Sequence, residues 1–305
     1  MLFTLADILK DANERYYGVI AANCYSYESA RALVKAAEAE KSPLIINIAE
    51  GHIVEYIKRD TLALEIAPLC EASPMPICIN LDHGFNWDVI VGAIRKGFTS
   101  VMTDNSTFPF EENVARTKKV VDVAHASGIS VEAELGHVGQ GNALGAAGDV
   151  LTDPAVAKEF VDRTGVDALA VAVGTAHGEY PKGYVPVLHF DRIKEIKAAT
   201  KMPLVLHGGS GSGDENLAKA VDCGINKINI FTDGQIVARD KLYAAMAENK
   251  NMFPLDMMDV LYAGITEKIR YYMQLFKSSG KADGHITATP FRYSWEVKNA
   301  GKLDT

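Results

Sequence analysis

"PLVLHGGSGSGDENLAKAVDCGINKINIFTD" (residues 203–233) holds one complete unit of the fold. An apolar run at 203–211 ends in a glycine-rich turn. A helical pattern follows at 214–223, and a second apolar run spans 227–233. Strand, helix and strand in that order make parallel neighbours, because the return between parallel strands needs a crossover element.

The unit recurs along the chain. Apolar runs of the same kind stand at 17–24, 43–50, 76–83, 99–105, 129–136 and 168–175, which with the two above makes eight. They are near-continuous in apolar character rather than alternating, as expected of strands covered on both faces. Helical patterns fill the gaps at 28–40, 54–72, 87–96, 111–126, 154–164, 189–200 and 234–248. Asp153 before Pro154, Ser212 or Gly213 before Asp214, and Asp233 before Gly234 supply start signals. Eight alternations over residues 1–250 predict a (β/α)8 TIM barrel. A doubly wound open sheet is the alternative, but it usually carries a Gly-x-Gly-x-x-Gly turn that is missing here. Residues 251–305 read as additional C-terminal helices and an irregular tail of the same domain.

Composition narrows the function classes. Net charge is −8 and no basic stripe is visible, which argues against nucleic acid and anionic membranes as partners. Four cysteines with no Cys-x-x-Cys spacing argue against structural zinc and a disulfide framework. The N-terminal stretch reads as a short amphipathic helix rather than a signal peptide, and no 18-residue apolar run occurs. A cytoplasmic location is the expectation.

In a barrel of this type the chemistry sits at the C-terminal ends of the strands. Those ends carry Asp82-His83, Asp104, Glu132 and Glu134, Thr175-Ala176-His177, His207-Gly208-Gly209-Ser210-Gly211, and Asn229 with Thr232-Asp233. Three histidines on one rim, with carboxylates beside them, suit a catalytic zinc site that keeps one position open. His52, His125, His189 and His285 read as structural or solvated, and His137 is left open. The glycine-rich turn after strand 7, which feeds a helix, and the turn after strand 8 together occupy the usual phosphate cradle of this fold. A metal beside such a cradle suggests chemistry on a phosphorylated sugar. A lysine imine is the competing route, but Lys227 falls at the N-terminal end of strand 8. Metal-dependent barrel hydrolases commonly carry His-x-His on strand 1, where this chain has Asn23-Cys24-Tyr25.

Together "LDHG", "SVMTDNSTFPFEENV", "VEAELG", "TDPAVAKEFVDRTGVDALAVAVGTAHGEY", "PLVLHGGSG", "KINIFTD" and "LFKSSGKA" resemble the class II fructose-bisphosphate and tagatose-bisphosphate aldolases over residues 23–282. The resemblance implies retro-aldol cleavage of a phosphorylated ketose to dihydroxyacetone phosphate and an aldehyde. Fructose 1,6-bisphosphate, tagatose 1,6-bisphosphate and a ketose 1-phosphate all remain open, as does a non-catalytic sugar-phosphate-binding barrel. It implies Zn2+ on His83, His177 and His207, with Asp104 and Glu134 holding the zinc or a second cation in another position. Asp82 matches the acid/base. Gly178, Gly208, Ser210, Asn229 and Thr232 match the phosphate cradle, and Lys182 falls near the phosphate or a monovalent cation. Asn23 matches a substrate contact, and Arg270 is a candidate for a distal phosphate. A homodimer or homotetramer is implied.

Departures from the family pattern accompany the resemblance. Tyr25 and Ser26 stand where the family has asparagines, and "NIAEGH" replaces a Gln-Val-Ser-type stretch that touches substrate. In "EAELGHVGQGNALGAAG" (132–148), Asn142 and Ala143 replace the Glu-Asp of a mobile lid whose glutamate is the family's base. His137, Tyr180, Asp149 or a residue of a neighbouring subunit could supply that proton step, or the aldolase could be a divergent one.

Overall fold

The structure, a computed structural model, describes residues 1–58, 61–139, 151–178, 180–181 and 183–291. The lid stretch beyond Gly139, with Asn142 and Asp149, lies outside the described residues, and so does Lys182. Strands β1 (Val19–Asn23), β2 (Leu44–Ala49), β3 (Ile77–Gly84), β4 (Ser100–Thr103), β5 (Ser130–Leu135), β6 (Ala168–Val171), β7 (Leu204–Leu206) and β8 (Ile225–Ile230) pair in parallel into a closed barrel. The helices are α1 (Leu5–Glu14), α2 (Tyr27–Glu40), α3 (Leu62–Ala72), α4 (Trp87–Arg95), α5 (Phe110–Ala126), α6 (Pro154–Thr164), α7 (Phe190–Thr200), α8 (Asp214–Cys223), α9 (Thr232–Glu248) and α10 (Pro254–Leu275). The (β/α)8 expectation therefore holds.

The strand sequences divide by parity. Ile46, Ile48, Leu81, Val131, Leu169, Leu206 and Ile228 pack outward in the layer between sheet and helices. Val19, Ala21, Ile45, Cys78, Ala168, Ala170 and Val205 form a second apolar cluster with Leu5, Ile8, Leu9 and Ala12 of α1. The first helix thus closes the N-terminal end of the barrel. Its start is fixed by a capping box, with Thr4 accepting from the Asp7 N–H and Asp7 reaching back to the Thr4 N–H.

Three local outcomes differ from the sequence reading. The helix expected at 54–72 is a π-helical turn at His52–Ile57, followed by α3. Lys58 in the left-handed region ends the turn. The last barrel helix begins at Thr232 rather than 234, so Thr232 enters its first turn. Among the described residues the C-terminal extension contributes one helix, α10, packed along α2 and α9.

A bulge in β3 decides where the site's histidine points. Pairing with β4 shifts between Leu81 and Gly84, and His83 sits at φ +49°. Strict alternation would send Asp82 inward and His83 outward. The bulge turns both side chains to the rim, as bulges near active sites commonly do. Gly84 makes this possible, since a Cβ there would lie 2.5 Å from the Met102 carbonyl oxygen. Gly84→Ala is expected to cost about 1–3 kcal/mol through overpacking against backbone. Chemical denaturation would read it, and an unchanged midpoint would exclude this role for Gly84.

Candidate metal centre and phosphate cradle

Three imidazole nitrogens converge at the C-terminal mouth of the barrel. His83 Nε2 lies 3.2 Å from His177 Nε2 and 2.9 Å from His207 Nδ1. The His83 ring stands perpendicular to that of His207. Each ring is held from its far side. His83 Nδ1 is 2.8 Å from Asp104 Oδ2, and His207 Nε2 is 2.9 Å from Glu132 Oε1. His177 donates to the backbone carbonyl of Val138. A ring N–H committed to a carboxylate or carbonyl leaves the other nitrogen's lone pair aimed inward, which is how metal-binding histidines are oriented.

The charges also fit a cation. Burial lowers the His83 pKa, but Asp82 and Asp104 more than offset it and raise it to about 9. Burial, then His83, pushes His177 down to about 4, and burial holds His207 well below its usual value. Burial and the Asp104 carboxylate raise Glu134 to about 8. These carboxylates call for positive charge that three crowded imidazoles cannot all carry. Glu134 Oε2 is buried without a hydrogen-bond partner, 3.7 Å from His207 Nδ1. His83, Asp104 and Glu134 make a second cluster of possible ligand atoms beside the first. The donor set of nitrogen and carboxylate oxygen fits a divalent metal.

Asp82 lies next to the histidines on the inner face. Its Oδ2 accepts from Asn23 Nδ2 and its Oδ1 from Asn229 Nδ2, each at 3.1 Å. Burial acts to raise its pKa, yet His83, His207 and Lys227 outweigh that and hold it below the usual range. A cavity of about 360 Å³ opens over these groups, lined by Asn23, Ala49, His52, Asp82, His83, His177, Gly178, Gly208, Ser210, Asn229, Phe231 and Thr232.

The candidate phosphate cradle is built from backbone. Gly208 has φ +64°, and a Cβ there would fall on the Ala176 carbonyl oxygen. Ser210 Oγ accepts from the N–H groups of Phe231 and Asp233, at 3.2 and 3.3 Å, which ties the turn after β7 to the start of α9. Asp233 accepts from the Gly211 N–H and from the Tyr272 hydroxyl of α10. The C-terminal extension therefore braces the cradle.

Two sequence expectations change. Arg270 does not line the cavity, because α10 carries it along the flank of the barrel, where its Nε lies 2.8 Å from Glu40 Oε1. His52, read as structural or solvated, lines the cavity with its ring 5.1 Å from that of Phe231. His137 is exposed, with Nδ1 3.1 Å from Ser106 Oγ and 3.9 Å from Glu134 Oε1. Three further residues take roles that the sequence reading did not give them. Glu132 orients His207, and Lys227 pairs with Glu132 at 2.7 Å, both fully buried. Glu50 accepts from the Phe85 and Asn86 N–H groups and fixes the turn after β2 onto the turn after β3.

The sequence profile of the class-II fructose-bisphosphate aldolases matches residues 3–281. A probable fructose-bisphosphate aldolase of Bacillus subtilis is 39% identical over 285 residues, covering 92% of this chain and 99% of that one. The fructose-bisphosphate aldolase of Geobacillus stearothermophilus is also 39% identical, with the same coverage. Among solved structures, the YdjI aldolase of Escherichia coli K12 superposes with a TM-score of 0.81 at 35% identity, covering 92% of this chain and all of that one.

Proposed function

The chain belongs to the class II fructose-bisphosphate aldolase family, which makes it a lyase, and on that premise we propose that it is a zinc-dependent aldolase releasing dihydroxyacetone phosphate from a phosphorylated ketose. The observation that carries this reading is the convergence of His83 Nε2, His177 Nε2 and His207 Nδ1 beside Asp82 and the backbone cradle.

His83, His177 and His207 would hold the ion, with Asp104 and Glu134 available for a second position. When bound, Zn2+ supplies Lewis-acid stabilisation of the negative charge that develops on the ketose C2 oxygen. The rest of the chemistry falls to the chain. Gly178, Gly208, Ser210, Asn229 and Thr232 anchor the 1-phosphate and so fix the C3–C4 bond relative to Asp82. Asp82, kept ionised, accepts the C4 hydroxyl proton as that bond breaks. The bonding pair passes to C3, the aldehyde carbonyl forms at C4, and a proton taken up from solvent at C3 completes dihydroxyacetone phosphate. In the reverse direction Asp82 returns the proton to the aldehyde oxygen. Asn23 and Asn229 hold its carboxylate in place during both transfers. A homo-oligomer working in the cytoplasm is part of the same reading.

A coupled assay of dihydroxyacetone phosphate release from ketose bisphosphates and ketose 1-phosphates tests the activity. Metal binding with no turnover across that panel would favour a non-catalytic sugar-phosphate-binding barrel. Asp82→Asn keeps the shape but not the base, and is expected to lower kcat by about 10²–10⁴-fold. Metal content should be unchanged in that variant. A kcat within a few-fold of the parent would remove Asp82 from the proton transfer.

A further inference from the structure

The two helices that follow the cradle turns are held by one pair of side chains. Asp214 opens α8 after the turn that follows β7, and Asp233 lies in the first turn of α9 after β8. Tyr271 and Tyr272 are neighbours on α10, and each reaches one of them. The Tyr271 hydroxyl donates to Asp214 Oδ2 and the Tyr272 hydroxyl to Asp233 Oδ2. Successive helical residues diverge by about 100°, so two neighbours can address two different helices. The tyrosines are themselves fixed. Tyr272 is buried and stacks on Phe276 at 5.3 Å, and the Phe276 carbonyl accepts from the Gly18 N–H just before β1. Lys268 Nζ stands 4.6 Å from the Tyr271 ring centre and 4.4 Å from that of Tyr272, within range of a cation–π attraction to both.

Asp233 passes this hold to the cradle. Its carboxylate accepts from the Gly211 N–H at 3.2 Å, and its own N–H donates to Ser210 Oγ at 3.3 Å. The Phe231 N–H donates to the same oxygen at 3.2 Å. A serine hydroxyl offers two lone pairs and one proton, so with both lone pairs engaged Ser210 keeps its O–H for a ligand. Ser210 lines the metal cavity and Asp233 does not. A carboxylate turned into that cavity would repel a phosphate dianion. The Tyr272 hydroxyl holds it against Gly211 instead.

We propose that Tyr271 and Tyr272 are positioning residues for the phosphate cradle. They clamp the first turns of α8 and α9, and Tyr272, acting through Asp233, fixes Ser210 and Gly211 in the arrangement that binds the substrate phosphate. The choice of ligand rests on the aldolase reading above.

The test uses the full-length, zinc-loaded protein. Binding of dihydroxyacetone phosphate is measured by calorimetry, and exchange of its C3 proton with solvent is followed at saturation. Tyr272→Phe keeps the stacked ring and removes only the hydroxyl. It should raise the Kd about 5–10-fold. Zinc content and the saturating exchange rate should stay within about 2-fold, the pattern of lost ground-state binding alone. In an Asp233→Ala background the same change should move the Kd by less than about 2-fold, since the hydroxyl then has no carboxylate to act through. Adding Tyr271→Phe to Tyr272→Phe should weaken binding by about a further 2-fold, a smaller step because that bond is exposed. Tyr17 supplies the control for stability alone: its buried hydroxyl donates to Asp11 Oδ2 at 2.6 Å, at the opposite end of the barrel. Tyr17→Phe should lower the denaturation midpoint and leave the Kd unchanged.

A parent-like Kd in the double tyrosine variant would overturn the proposal. So would an equal loss from Tyr272→Phe with and without Asp233, or an equal loss from Tyr17→Phe. A parent that binds dihydroxyacetone phosphate without exchanging its C3 proton would instead overturn the aldolase reading, and the Kd values would still decide the proposal. A parent that does not bind it at all would overturn both.

Discussion

Stripping divalent metal from the protein with EDTA is expected to reduce dihydroxyacetone phosphate release by at least about 10³-fold, and zinc or cobalt is expected to restore it. Lewis-acid stabilisation of a developing charge supplies several kcal/mol, and each 1.36 kcal/mol is a factor of ten in rate. No other described group on the rim replaces it. The described groups around the ketose C2 position are imidazoles whose far nitrogens are committed to Asp104, Val138 and Glu132. His177→Ala should reproduce the loss and should also lower the bound zinc measured by elemental analysis. The ring's partners are the Val138 carbonyl and His83 Nε2, so the loss should stay local to the rim. The opposing outcome is activity that resists chelation and a protein that borohydride traps with substrate. That would require a lysine imine. Lys227, on the inner face of β8, is fully buried and paired with Glu132 at 2.7 Å. An ammonium locked in that way is poorly placed to attack a ketose at the rim.

The barrel was legible because each strand is short, apolar and followed by a helical pattern, so eight repeats of one unit outweigh any single misjudged boundary. The rim histidines and Asp82 were legible because strand ends locate the chemistry in this fold. The features that escaped share a different cause. His52 falls between the β2 run and the helix expected at 54–72, yet a π-helical turn brings its ring to the cavity. Periodicity at 3.6 residues carries no signal for one such turn. Glu132 and Lys227 are remote in sequence and become partners only when β5 and β8 face each other across a closed barrel. The bulge at Asp82-His83 is a third case. Two adjacent residues of a regular strand point to opposite faces, and nothing in "LDHG" announces the shift in register except the glycine.

Disruption of the Glu132–Lys227 pair is expected to lower zinc affinity and stability together, and the two effects can be separated. Outer partners of a metal-binding histidine typically contribute 10–100-fold in affinity, so Glu132→Gln should weaken zinc binding by about that factor in a chelator competition. The same change leaves the Lys227 ammonium buried without its counter-charge. Removing one member of a buried ion pair costs about 3–5 kcal/mol, which should appear as a lowered denaturation midpoint of the metal-free protein. Lys227→Met should cost a similar amount by stranding the Glu132 carboxylate, while its effect on zinc affinity should be smaller because Glu132 still reaches His207. The double change Glu132→Leu with Lys227→Met removes both charges. It should return stability to near the parent value, since an apolar pair of similar volume often replaces a buried ion pair without loss. Zinc affinity should nonetheless stay about 10–100-fold down, because the carboxylate that keeps the His207 proton on Nε2 is gone and Asn229 Nδ2, 3.3 Å from Nε2, then favours the other tautomer. Parent-like zinc affinity in the double variant would mean that the packing of His207 alone orients it, and that the pair serves only to carry charge inside the barrel.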